Sequence, residues 1–231
     1  MKNFLTSSFL LLLPLFAASQ SKWEGGLYLG FTNYGGDLVE PKITLKESNV
    51  AFGVLARRQI TPLFNARFNF LYGKISGSDK NYDNLIQRDI KFKSPVYEFT
   101  LTCEHEILGK KHFVNDTLHR MFSPYVFAGV GMTIISPDTD YNIKEGDGVS
   151  NELKDKDAHF NYSNTQFSLP IGLGVKYDLT NNLNIGFEYG IRLVWTDYLD
   201  GVSQAGNPNK NDVYFSGGIV LAYRFNKKEH I

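Results

Sequence analysis

The sequence predicts an all-β protein: an eight-stranded antiparallel transmembrane β-barrel with long loops at one end and short turns at the other. Three observations carry that expectation. The stretch from Phe167 to Trp195 alternates strictly between apolar and small or polar residues. Eight runs of this kind occur along the chain, joined by connections that mostly alternate long and short. An apolar leader directs the chain out of the cytoplasm.

In the Phe167–Trp195 stretch, Phe167, Leu169, Ile171, Leu173, Val175 and Tyr177 share one face. Gln166, Ser168, Pro170, Gly172, Gly174 and Lys176 share the other. After the polar turn 178–182, Leu183, Ile185, Phe187, Tyr189, Ile191, Leu193 and Trp195 oppose Asn184, Gly186, Glu188, Gly190 and Arg192. A period of two over this length specifies strands. The second face mixes glycine with Lys, Glu and Arg. A soluble sandwich would turn such a face to water. A membrane barrel would turn it inward and its apolar face to lipid.

Residues 1–20 decide between the two. Lys2 gives a positive start, Phe4 to Ala17 is nearly continuous apolar sequence, and Ala17-Ala18-Ser19-Gln20 offers small residues for cleavage. This reads as a secretory signal peptide. It leaves 21–225 as the barrel and 226–231 as a short tail. No later stretch approaches the roughly 18 apolar residues of a membrane helix, but barrel strands carry their signal in alternation instead. With 24 basic and 24 acidic residues, net charge gives no reason to expect nucleic acid as a partner. A single cysteine, Cys103, excludes an intrachain disulfide.

The first strand is expected at Trp23–Tyr34, with Leu27, Leu29 and Phe31 outward and Glu24, Tyr28 and Thr32 inward. The second, Asn49–Ile60, sets Val50, Phe52, Val54 and Ala56 against Asn49, Gly53, Arg57 and Gln59. Thr61-Pro62 then turns tightly, because proline suits a turn and not a ladder. The third, Leu63–Ile75, alternates Phe64, Ala66, Phe68, Phe70 and Tyr72 with Asn65, Arg67, Asn69 and Gly73. The fourth, Phe92–Glu106, opposes Tyr97, Phe99, Leu101 and Cys103 to Glu98, Thr100, Thr102 and Glu104. The fifth, Phe122–Ile135, opposes Val126, Ala128, Val130 and Met132 to Tyr125, Gly129, Gly131 and Thr133. The hairpin already described is the sixth and seventh. The eighth, Val213–Phe225, sets Phe215, Ile219, Leu221, Tyr223 and Phe225 against Tyr214, Ser216, Gly218 and Arg224.

An even strand count lets the last strand pair with the first and removes edges that lipid could not satisfy. Connections 35–48, 76–91, 136–164 and 196–212 are long, whereas those after the second and sixth strands are short. That asymmetry predicts an outer-membrane protein with loops outside and turns in the periplasm. Connection 107–121 is an unusually long periplasmic one. Trp23, Phe64, Tyr177, Tyr223 and Phe225 would mark one interface, and Tyr72, Tyr97 and Trp195 the other.

The inward positions carry Glu24, Arg57, Arg67, Glu98, Glu104, Lys176, Glu188, Arg192 and Arg224. Eight strands enclose a lumen that side chains can fill. Opposed charges are therefore expected to pair and plug it rather than line a narrow pore. The expected network joins Arg67, Glu98, Glu188 and Arg192, with Lys176 a further candidate. Catalysis would need a nucleophile beside a base. His105, His112 and His119 have no Ser or Asp beside them in a recognisable motif, and they read as solvated surface residues. The protein therefore reads as non-enzymatic and without a cofactor. Loop 138–147 starts like a calcium loop, but Ile143 and Val149 replace the required Gly and Glu. It reads as a solvated acidic loop. On the periplasmic side, Arg58, Lys110, Lys111, His112, His119, Arg120, Lys227 and Lys228 gather. They are either a docking surface or charges snorkelling at the membrane rim.

Gly218 to Phe225 resembles the C-terminal signal read by barrel-assembly machinery, although six residues follow it. Five further segments are 23–38 (WEGGLYLGFTNYGGDL), 65–68 (NARF), 92–98 (FKSPVYE), 123–131 (SPYVFAGVG) and 196–203 (TDYLDGVS). Together they resemble the Bacteroidetes outer-membrane barrel family that includes PorG of the type IX secretion system. The resemblance implies a scaffold barrel that associates with a periplasmic ring of PorK and PorN. It implies a role in protein secretion and, in gliding species, motility. Asp37, Asp197 and Asp200 lie in its two most specific segments and would meet at the outer rim, as loop caps or as partner contacts. The family often carries a second Asp where this chain has Gly201. The competing readings are a small channel or envelope-stabilising barrel and, further off, a lipid-modifying enzyme.

Overall fold

The computed structural model describes residues 23–39, 47–114, 117–142 and 148–225. The expected signal peptide and the 226–231 tail lie outside the described residues. Eight long strands close into one sheet: β1 (Trp23–Gly35), β2 (Asn49–Gln59), β3 (Phe64–Ser78), β4 (Lys91–Glu106), β5 (Phe122–Ile135), β6 (Thr165–Asp178), β7 (Leu183–Val194) and β8 (Val213–Phe225). Every pairing is antiparallel and joins neighbours in the chain, except that β1 also pairs with β8 from Trp23↔Phe225 to Gly35↔Val213. That pairing closes the barrel.

The faces divide as the period-two pattern dictates. Leu27 is 63% exposed and Leu101 58%, while Arg57 and Glu98 on the opposite face are 2% and 1% exposed. The registers align these apolar residues into rows, such as Phe68↔Leu101↔Val130 across β3, β4 and β5. Charges inside and apolar side chains outside invert the arrangement of a water-soluble protein. An apolar belt of this size is stable against lipid, and a closed barrel leaves no backbone group unpaired there. No helix among the described residues is long and apolar enough to cross a membrane; the strands have the length to do so.

The glycines of the hairpin face have a packing reason. A Cβ on Gly174 would stand 2.5 Å from the Tyr125 ring, and one on Gly172 would stand 2.3 Å from the Phe127 ring. These positions stay bare so that two aromatic side chains of β5 can lie across the inner face of the neighbouring β6 toward β7. On the outer face a related device shapes β8. Gly217 leaves space into which Phe31 and Tyr189 lean, and Phe215, outward by pattern, is covered there.

Two connections hold more structure than the sequence reading allowed. The ladder of β3 and β4 continues past Ile75 to Ser78↔Lys91, and a short strand Asp138–Asp140 pairs onto β4 beside it. The loop after β5 contains helix α1 (Gly148–His159). At the short-turn end, connection 107–121 holds one helical turn, Gly109–His112, and a two-residue ladder of Phe113–Val114 with Thr117–Leu118.

Placing a charge at mid-height on the apolar face should be costly. Leu101→Arg should destabilise the barrel by about 2–4 kcal/mol in urea unfolding from phospholipid vesicles, whereas Leu101→Val should change it little.

Candidate functional site

The lumen is filled by a branched chain of ion pairs. It starts at mid-barrel, where Arg67 of β3 and the Tyr125 hydroxyl of β5 both bond Glu188 of β7. Arg67 also reaches Glu104 at 2.8 Å, and Arg57 approaches the same carboxylate at 2.7 Å. These two contacts lie off hydrogen-bond geometry, so Coulomb attraction rather than directed bonding holds this node. Arg57 continues to Glu24 at 2.6 Å. Glu24 meets Arg224 at 2.9 Å, and Arg224 meets Asp178 at 3.1 Å. At the short-turn mouth Asp178 binds Nε2 of His112, whose Nδ1 lies 2.8 Å from Glu106. Glu106 takes Lys176 at 2.5 Å and the Ser123 hydroxyl at 2.6 Å.

Charge balance explains the histidine. The chain contains five carboxylates (Glu24, Glu104, Glu106, Asp178, Glu188) and four permanent cations (Arg57, Arg67, Lys176, Arg224). His112 is fully buried with both ring nitrogens facing carboxylates. Carboxylates only accept, so both nitrogens must donate, which makes the ring an imidazolium. It supplies the fifth positive charge. Burial pushes the ring pKa down, but the bonds to Asp178 and Glu106 outweigh this and hold it above the ordinary histidine value.

The network expected from sequence divides in two. Arg67 pairs with Glu188 in the long chain, and Lys176 joins that chain through Glu106. Arg192 and Glu98 form a separate bidentate pair at 2.9 and 3.2 Å, buttressed by the Tyr214 hydroxyl at 2.5 Å from Glu98. Between the two lies a void of ≈ 20 Å³, room for about one water, lined by Tyr28, Arg67, Asn69, Glu98, Glu188 and Arg192.

His112 corrects the sequence reading: it is not a solvated residue but the plug of the short-turn mouth. Glu106 and Asp178 complete that plug. Both continue the inward period of their strands, so their signal was present. His112 lies in an irregular connection and had none. Lys110, Lys111 and Arg120 are exposed around it, with Arg120 reaching the Asn181 side chain at 3.2 Å. Lys227 and Lys228 lie outside the described residues.

The long-loop mouth is also closed. Tyr34, Leu38, Ile75, Phe92, Leu199 and Tyr214 are among the buried side chains of an apolar cluster there. Arg88 grips Asp79 at 2.7 and 2.8 Å and donates to the backbone oxygens of Asp37 and Ala205. The Tyr34 hydroxyl lies 2.6 Å from Asp200 and 2.7 Å from Asp212, and it accepts the Asp37 N–H at 2.9 Å. Asp37 and Asp200 thus meet through one phenol. Asp37 also caps the Asn207 N–H at 2.7 Å, and Asp200 caps the Val202 N–H at 2.7 Å. Burial raises the Asp200 and Asp212 carboxyls well above the usual range. Asp197 is buried beside them without a hydrogen bond in good geometry. Burial, with Asp37 and Asp157 nearby, pushes its carboxyl up to about 7, the Ser203 hydroxyl offsetting part of the rise.

The acidic loop that begins at Asp138 is expected to be solvated through Asp157, and the structure corrects this at its far end. Asp157 of α1 is buried and accepts the N–H groups of Ser203, Gln204 and Ala205 at 3.1, 3.0 and 2.9 Å. Gly201 has φ +83°, and a Cβ there would meet the Thr139 hydroxyl at 2.6 Å. Any other residue would be strained and crowded at this position.

A family model described as a domain of unknown function, DUF6089, matches residues 2–230. The chain belongs to the DUF6089 family. No curated protein matches its sequence. Among solved structures, Neisserial surface protein A is similar at TM-score 0.51 and 15% identity, covering 89% of this chain and 98% of its own. OprG of Pseudomonas aeruginosa is similar at TM-score 0.45 and 13% identity, with 90% and 99% coverage. Ail of Yersinia pestis is similar at TM-score 0.45 and 12% identity, with 90% and 100% coverage. At these identities the likeness to Neisserial surface protein A speaks to fold alone: this chain has the eight-stranded barrel fold of an outer-membrane protein.

Two measurements test the lumen. Glu104→Gln leaves two buried guanidiniums short of a partner and should cost about 3–5 kcal/mol in urea unfolding. Combined with Glu98→Gln, its effect should add to within about 0.5 kcal/mol, because the two networks are separate. The raised pKa of His112 contributes stability that is full below the unfolded histidine value of about 6.5. It is lost as pH rises through the folded value. Tryptic cleavage after Lys110 and Lys111 should therefore speed up with alkaline pH, relative to a His112→Gln variant in which the dependence disappears.

Proposed function

We propose that this protein is a sealed outer-membrane barrel that acts as an anchor and scaffold rather than as a channel or enzyme. Its periplasmic face would dock a ring of the PorK and PorN type in type IX protein secretion. The closed barrel and its apolar belt support the membrane placement, with the long loops outside and the short turns in the periplasm. Outer-membrane lipid surrounds the belt, and barrel-assembly machinery would read the Gly218–Phe225 segment of β8 during insertion.

The observation that carries the docking reading is the sorting of charge at the short-turn end. Glu24, Glu104, Glu106 and Asp178 are all buried and paired. Among the described residues, the exposed charged side chains there are Arg58, Lys110, Lys111 and Arg120, all basic. The His112 clamp fixes the helical turn that presents two of them. A rigid basic face on a sealed barrel suits an acidic protein surface, since preorganisation lowers the ordering cost of binding and opposite charge speeds encounter. The family resemblance supplies the identity of the partner.

Charge reversal tests this. Lys110→Glu with Lys111→Glu should reduce recovery of the ring lipoprotein at least fivefold in affinity purification from detergent-solubilised membranes. Heat-modifiable barrel migration should persist. Unchanged recovery, or steady ion conductance of the wild-type barrel in a planar bilayer, would count decisively against the proposal.

A further inference from the structure

The outward face of the β3–β4 ribbon carries two exposed lysines at the long-loop edge of the apolar belt. Phe70 and Phe99 are paired across the two strands, then Tyr72 and Tyr97, with ring centroids 5.0 Å apart in both pairs. The next outward positions toward the loops are Lys74 on β3 and, beyond Pro95, Lys93 on β4. The two lysines are diagonal neighbours, since Lys74 faces Pro95 and Lys93 faces Ser76. Both are exposed.

Their height is fixed by strand geometry. A strand rises about 3.3 Å per residue and tilts about 45° in a barrel, which is about 2.3 Å of height per residue. Counting from Phe64 and His105 at the opposite rim, Lys74 lies about 23 Å up and Lys93 about 28 Å up. The apolar belt of such barrels is about 25 Å tall. The amines therefore straddle its upper edge, where the headgroups of the outer leaflet begin.

Lys91, one step further out, is held by Asp140 at 3.2 Å, and Lys80 by Asp89 at 3.1 Å. Lys74 and Lys93 make no ion pair among the described residues, although Asp138 faces Lys93 across the short strand. Of the other acids at this end of the ribbon, Asp79 and Glu98 are turned inward and buried, while Asp83 is exposed in the connection between the two strands. At the corresponding level elsewhere the outward residues are neutral, as with Phe31, Val50, Ile134, Phe167, Leu193 and Val213. Among the described residues, the outward lysines at this level thus lie on one ribbon.

We propose that Lys74 and Lys93, above the Tyr72–Tyr97 pair, bind the phosphate of a phosphorylated glycolipid in the outer leaflet. Each ammonium brings three donors and a compact charge suited to phosphate oxygens. The tyrosine and phenylalanine rings below would lie along the acyl chains, as aromatic residues do at this interface. The site rests on the membrane-spanning reading of the barrel and is independent of periplasmic docking.

The test is native mass spectrometry of the detergent-purified full chain, titrated with bis-phosphorylated lipid A, with the same lipid after phosphate removal, and with inorganic phosphate. The phosphorylated lipid should bind at least fivefold more tightly than the dephosphorylated one. Lys74→Gln with Lys93→Gln should abolish that preference while heat-modifiable migration is retained. Lys110→Gln with Lys111→Gln, at the other rim, should keep it. Equal binding of both lipids, a preference undiminished in the Lys74/Lys93 variant, or inorganic phosphate bound as tightly as the lipid would overturn the assignment.

Discussion

The structure depends on neutralising charge in a space closed to water. Each carboxylate in the lumen is removed from bulk solvent on all sides, and an uncompensated one would cost several kcal/mol. The remedy is not a set of independent pairs but a shared chain, in which Glu104 serves two guanidiniums and Arg224 serves two carboxylates. Other choices follow from it. Glycines on β6 yield room to Tyr125, whose hydroxyl completes the shell of Glu188. A histidine folds in from a connection because the strands alone leave the chain one positive charge short.

The two mouths are closed by different means. The short-turn mouth is closed by charge, through one imidazolium between two carboxylates. The long-loop mouth is closed by an apolar cluster with aspartates tying loop to loop. In that cap a single phenol serves Asp200 and Asp212 together, although it has only one proton to give. Burial keeps those acids protonated more readily than usual, which is what such an arrangement requires. The lumen is thus blocked at both ends and filled between them by side chains of the described residues.

Much of this was legible in the sequence because a strand converts one-dimensional alternation directly into inside and outside. β5 and β8 fall on their predicted bounds, and the outward rows and the inward charges sit on their predicted faces. Pairing across the lumen was only partly legible. Arg67 with Glu188 and Arg192 with Glu98 depend on barrel stagger, which no single strand reveals. Loops carry no period, so the burial of His112 and Asp157 had no signature. Their residue types suggested solvent, yet each is buried because it satisfies groups that neighbouring elements leave open. Gly201 looked like a departure from a family pattern, and its positive φ makes glycine the residue that fits.

The pairing of Glu24 with Arg224 links the first strand to the last. In a growing, still open sheet these side chains are far apart, and so are Glu24 and the distal members of the chain, Asp178 and His112. The circuit is completed only when β8 docks on β1. A partly assembled barrel would therefore hold unmatched charge on its concave side and would gain little by burying that side early. Closure then resembles the final tooth of a ratchet: the last hydrogen-bonded seam and the electrostatic circuit lock in one step, and reopening must undo both at once.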